Sequence, residues 1–136
     1  MEGKDFVDYH LTGRERDILD ILWNSEEGMI ASEVAEQRED LTINTVQAVL
    51  KKLLKREFIK VQEIVYSGTV LSRKYCPTLS EAEFRVAETT QNIYALERFD
   101  IRPAQFIADF LSKVKLDEKQ QEELIEEVRK LKKDNK

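Results

Sequence analysis

Residues 41–58 read LTINTVQAVLKKLLKREF, and the fold turns on how that run is wound. At about 100° per residue the run divides into two faces. Val46, Val49, Leu50 and Leu53 fall on one side; Asn44, Gln47, Ala48, Lys51 and Lys55 fall on the other, flanked by Thr45 and Lys52. Thr42 stands where an N-cap belongs, its hydroxyl able to accept from a free backbone N–H of the first turn. No Asp or Glu occurs from Thr42 through Arg56, so the polar face is small, amide and cationic. The spacing predicts a helix from Thr42 to about Arg56 with one side in a core.

Upstream, Thr12 with Glu15 three residues later forms a capping box ahead of Ile18, Leu19, Ile21, Leu22 and Trp23. Asn24 to Gly28 reads as the stop, and Met29-Ile30-Ala31 leads into a second helix expected over Ser32–Glu39, with Val34 and Ala35 inside. Downstream of Phe58 the period changes from that of a helix to that of a strand. Residues 59–66 and 69–75 are rich in β-branched and aromatic side chains, Ser67-Gly68 lies between them, and Pro77 closes the second run. That is a hairpin signal. Three helices followed by a hairpin make a winged helix-turn-helix over residues 9–77, within an amino-terminal domain expected at 1–78.

No strand is expected from Leu79 onward. Ser80 can cap a helix in which Ala82, Val86, Thr89, Ile93 and Leu96 recur at alternating steps of four and three. Residues 99–103 break it. A second helix presents Phe106, Ile107, Phe110, Leu111 and Val114, and Asp117 caps a third carrying Leu124, Ile125, Val128 and Leu131. Three such helices make a thin core alone, so their stripes are expected to meet a second copy. The fold class is therefore mainly α with a small β-hairpin wing, followed at 79–136 by a helical dimerisation region. Phe106, Phe110, Leu111, Leu124 and Val128 are its expected contact residues.

Composition removes other classes. The chain has 136 residues, 36% of them charged, against about 25% in an average domain, and 41% hydrophobic, enough for a core. No stretch approaches the roughly 18 apolar residues of a membrane span. The start, MEGKDFVDYH, lacks the apolar centre of a secretory signal. The single Cys allows no internal disulfide, which fits a cytoplasmic protein. With one His and one Cys, and no H-E-x-x-H or C-x-x-C, no metal site is expected. No P-loop, G-x-G-x-x-G or G-x-S-x-G occurs, so neither a cofactor nor an enzymatic function is expected.

What remains is recognition of duplex DNA. The major groove admits one helix, and the polar face of residues 42–56 suits base edges. Asn44 and Gln47 can pair with adenine, Thr45 and Ala48 can touch a thymine methyl, and Lys51 can reach guanine or phosphate. Thr42 stands at the entry to this face. Lys52, Lys55, Arg56 and Lys60 are expected on phosphates, with Arg73 and Lys74 of the wing on flanking backbone. The charge pattern favours this reading: residues 44–60 hold five Lys/Arg and one Glu, within a chain of net charge −5. An alternative stays open, a winged-helix module that binds protein and no DNA, because residues 1–78 carry 11 basic against 14 acidic side chains.

Taken together, Leu11-Thr12, Glu15, Ile18-Leu19 and Leu22-Trp23, then Thr45-Val46, Leu50, Leu53 and Phe58-Ile59, then Tyr75 and Pro77, resemble the penicillinase-repressor family (BlaI/MecI/CopY type). The tail, with Phe106, Asp109-Phe110-Leu111 and an acidic helix after it, is similar to that family's carboxy-terminal segment. The resemblance implies a homodimeric transcriptional repressor on a palindromic operator, with half-sites of the TACA/TGTA kind and the tail as dimerisation element. It also implies a cleavage position at Asp109-Phe110, where β-lactam-responsive members carry Asn-Phe, and hence a sensor-protease as partner. Copper sensing is not implied, since no Cys follows Cys76. Two departures bear on the fold. Glu57 stands where members commonly have Gly, which puts a non-glycine residue at a left-handed position unless the turn differs. The wing lacks the usual Gly-Arg-Ala-Tyr run, with Leu71, Ser72 and Arg73 near that place.

Overall fold

The computed structural model describes residues 7–134, so part of the stretch read for a secretory signal lies outside the described residues. In chain order the elements are α1 (Gly13–Trp23), α2 (Ala31–Glu36), α3 (Ile43–Lys55), β1 (Ile59–Ser67), β2 (Val70–Pro77), α4 (Glu81–Tyr94), a 3₁₀ turn (Ala95–Phe99), α5 (Pro103–Lys113) and α6 (Glu118–Asp134). Mainly helical, with one antiparallel hairpin after the third helix, this is the winged-helix arrangement expected, followed by carboxy-terminal helices.

Local chemistry sets the helix ends. The hydroxyl of Thr12 accepts from the Glu15 N–H at 3.2 Å, and the Glu15 carboxylate accepts from the Thr12 N–H at 2.9 Å. Ser80 and Glu83 repeat this box at α4, and Asp117 with Gln120 at α6. α2 departs from expectation: it starts at Ala31, where the Glu33 carboxylate caps the Ile30 N–H at 3.0 Å, and ends at Glu36 instead of Glu39. Arg38 and Asp40 lie beyond it and tie the turn to Asp17 and Arg14 of α1, while Leu41 is buried at the entry to α3.

α3 ends in a Schellman motif. The Phe58 N–H donates to the Leu53 carbonyl and the Glu57 N–H to the Leu54 carbonyl, both at 3.0 Å, with Glu57 at φ 63°. The turn thus keeps its shape with Glu in the glycine position. In the hairpin, Ser67 pairs with Val70 and Tyr66 with Leu71 across the two-residue loop Gly68-Thr69, where Gly68 takes φ 67°. A bulge leaves Gln62 between Val61 and Glu63, and its side-chain oxygen accepts from the Gly28 N–H at 3.1 Å. Met29 exchanges both backbone hydrogen bonds with Tyr75, at 2.8 and 2.9 Å, adding a one-residue third strand to the sheet.

Two compact units result, Met1–Gln91 and Asn92–Lys136. In the first, Ile18, Leu19, Leu22, Val34, Val46, Leu50, Leu53 and Ile59 form the core. α4 closes it with Phe84, whose ring centroid lies 5.1 Å from Phe58 and 5.4 Å from both Tyr9 and Trp23. The Trp23 indole N–H donates to the Leu79 carbonyl at 3.0 Å. The first unit therefore takes in most of α4, past the division at 78/79 read from the sequence. Phe84 lies outside the stripe Ala82, Val86, Thr89, Ile93 and Leu96, and Val86 of that stripe is exposed.

In the second unit no described residue is buried. Pro103 opens α5 at its first position, where its missing N–H costs nothing. Phe106 stacks on Phe110 at 6.2 Å, and Leu111, Val114, Leu116 and Leu124 line a shallow hollow of about 270 Å³. Leu124, Ile125, Val128 and Leu131 stay exposed along one side of α6.

Candidate nucleic-acid interface

The buried side of α3 is Val46, Val49, Leu50 and Leu53, and this fixes what the other side presents. Asn44, Gln47, Ala48, Lys51, Lys52 and Lys55 are all exposed, with Thr45 half-buried at the margin. Thr42 is spent on the cap: its hydroxyl accepts from the Thr45 N–H at 3.1 Å and lies 2.9 Å from the Thr45 hydroxyl. The two threonines set the start of the helix, and Asn44, Gln47 and the lysines carry the accessible hydrogen-bonding groups.

The cations near this face divide into two kinds. Arg14 and Arg38 bind Asp40 and Asp17. Among the described residues Lys51, Lys52 and Lys55 make no ion pair, so their charge is available to a polyanion. Arg56 corrects the sequence reading. Expected on phosphate, it turns inward: its guanidinium meets the Glu15 carboxylate at 2.8 and 2.9 Å, donates to the carbonyls of Asp8 and His10 at 2.7 Å each, and covers the Phe58 ring at 4.7 Å. Glu15 is 3% exposed. Burial pushes its carboxyl up, but the Thr12 N–H and the Arg56 guanidinium outweigh that and hold it below the ordinary value. Arg56 thus secures the end of α3 to α1 and to the chain before α1.

The wing cations also separate, because successive strand residues point to opposite faces. Arg73 is exposed and lines a cleft of about 500 Å³ together with Ile43 and Gln47 of α3. Lys74 is directed at Glu27 and Glu63, at 3.6 and 3.5 Å, with 19% of its side chain exposed. Sequence reasoning passed over Ser32 and Tyr75, which border the same cleft. The Met29–Tyr75 pairing holds the start of α2 beside β2, and its trace in the sequence is the apolar run Met29-Ile30-Ala31.

The tail residues fall on two helices of the second unit. Phe106 and Leu111 are half-buried, whereas Phe110, Leu124 and Val128 are exposed. The Asp109-Phe110 bond lies inside α5; the Asp109 carboxylate accepts from Lys113 Nζ at 2.9 Å, and its carbonyl accepts from the Ser112 hydroxyl at 2.6 Å. Among the described residues no cluster of His, Cys, Asp and Glu is arranged to hold a metal ion, and no helix is long and apolar enough to cross a membrane.

No curated protein matches the chain. A family model, the penicillinase repressor, matches residues 11–130, from the cap of α1 to the last turns of α6. With that match spanning both units, the chain belongs to the penicillinase repressor family of DNA-binding transcriptional repressors.

Proposed function

We propose that two copies of this chain bind one palindromic operator in the cytoplasm, each placing α3 in the major groove of a half-site and holding the other copy through α5 and α6. The observation that carries this reading is the exposed face of α3, where Asn44, Gln47 and Ala48 adjoin lysines that have no carboxylate partner among the described residues. Asn44 and Gln47 would read base edges, Thr45 and Ala48 would allow close approach, and Lys51, Lys52, Lys55 and Arg73 would neutralise phosphates. Joining two such units makes the second engagement intramolecular, which raises affinity without any new contact to DNA. Release follows from whatever separates the copies. Cleavage at Asp109-Phe110 by a sensor-protease would detach Phe110, Leu111, Leu124 and Val128 from the DNA-binding unit. Because that bond is helical, the protease would have to unwind part of α5 first.

Salt titration with operator DNA tests the reading. Affinity should fall of order 10³-fold between 50 and 200 mM salt if about six phosphates are neutralised. Lys55→Ala should weaken specific and random duplexes alike, whereas Gln47→Ala should also relax base preference. Equal loss on both kinds of DNA for Gln47→Ala would remove it from base reading, and no retention of any duplex at low salt would remove the DNA-binding role.

A further inference from the structure

The hairpin ends in an apolar tip that the core does not use. Ile64, Tyr66, Val70 and Leu71 are 62%, 75%, 64% and 61% exposed. The register sets Tyr66 opposite Leu71 and Ile64 opposite Arg73. From Ile64 through Ser72 nine consecutive residues carry no charge, in a chain that is 36% charged, and Arg73 ends that run. Val70 and Leu71 border one cleft together, and exposed apolar side chains brought together in this way mark a binding surface.

Its surroundings identify the partner. Val70, Leu71 and Arg73 line the cleft that Ile43 and Gln47 line from α3, and no carboxylate among the described residues borders that cleft. The carboxylates nearest the hairpin tip lie on α2, where Glu33 and Glu36 border a second cleft with Val65, Tyr66 and Lys74. The side of the wing that shares space with the exposed start of α3 therefore combines Val70 and Leu71 with Ser67, Ser72, Tyr75 and one arginine, and among the described residues it carries no carboxylate.

We infer that Val70 and Leu71 form an apolar wedge that enters the minor groove beside the half-site read by α3 and partly unstacks one base step, with Arg73 following the groove wall. This rests on the DNA-binding reading of α3. Apolar side chains inserted at a step replace part of the lost stacking, and the resulting kink brings more duplex against the protein. Pyrimidine–purine steps open most easily, so the wing selects a TA or CA step at a position where no hydrogen bond reads the base.

The test uses the full chain and a duplex that it enriches from a random-sequence pool, with 2-aminopurine placed in turn at each flanking step. Binding is expected to raise the fluorescence at one step outside each half-site. The double variant Val70→Thr with Leu71→Thr, which keeps strand propensity, is expected to abolish that rise and to weaken binding about five- to tenfold, with unchanged melting and self-association. Flat fluorescence at every flanking step, or undiminished affinity in the double variant, overturns the wedge. A loss confined to self-association overturns it too, by making the tip a contact between copies. Enrichment of no duplex at all removes the α3 reading and the wedge together, whereas enrichment with flat fluorescence removes the wedge alone.

Discussion

Arg56 and Lys51 lie five positions apart on one cationic run, yet they face different surroundings. Arg56 is held by Glu15, two backbone carbonyls and an aromatic ring; Lys51 is exposed with no ion pair among the described residues. Arg56→Met should therefore cost about 3 kcal/mol of stability, because it strands the buried Glu15 carboxylate. Lys51→Met should cost under about 0.5 kcal/mol and act on DNA affinity instead. Chemical denaturation of the two variants beside a binding titration separates these outcomes, and equal stability losses would contradict the assignment. Glu15 also predicts an acid response. Its folded pKa lies below the ordinary value of 4.5, so its stabilising contribution is complete above that value and disappears as pH falls through the lowered folded pKa. Glu15→Gln should be less stable at neutral pH and lose less on acidification; parallel stability–pH curves for the variant and the parent would refute this. Nothing in the pattern of residues distinguished Arg56 from the lysines before it. Its direction depends on Glu15, 41 positions away.

At the scale of elements, the helix starts were legible and several ends were not. Thr12, Thr42, Ser80 and Asp117 cap where their spacing places them, because a cap is a bargain among residues three apart. The end of α2 and the pairing of Met29 with Tyr75 depend on residues brought together only in the folded unit. Glu57 is the instructive case. Its left-handed conformation follows from the closed Schellman bonds around it, and a Cβ at φ 63° opposes it. Glu57→Gly should raise stability by about 0.5–1 kcal/mol, the strain relieved exceeding the extra freedom glycine gains when unfolded. A thermal melt that moves downward would show that the Glu57 side chain contributes more than its backbone costs.

For the whole molecule, the second unit presents a hydrophobic face with no buried residue of its own among those described. Leu124, Ile125, Val128 and Leu131 are between 37% and 60% exposed, too much apolar surface along one helix for a free monomer to leave in water without consequence. If two copies join through this face as proposed, Leu124→Ser with Val128→Ser should leave the first unit folded and raise the dissociation constant of that pair by about two orders of magnitude. Affinity for a two-half-site duplex should then fall toward that for one half-site. Sedimentation with both duplexes measures this, and a variant that remains dimeric would move the interface elsewhere.

Periodicity, caps and turn residues determined the order of elements, the core side of α3 and the amide-and-lysine face opposite it, since each depends on neighbours a few positions apart. Folding decided which of the cations find carboxylate partners among the described residues, that Phe84 of α4 completes the first core, and that Arg73 and Lys74 serve opposite faces of the wing. Those outcomes depend on groups far apart in the chain meeting at a few ångströms, where charge pairing and burial act and sequence spacing carries no information.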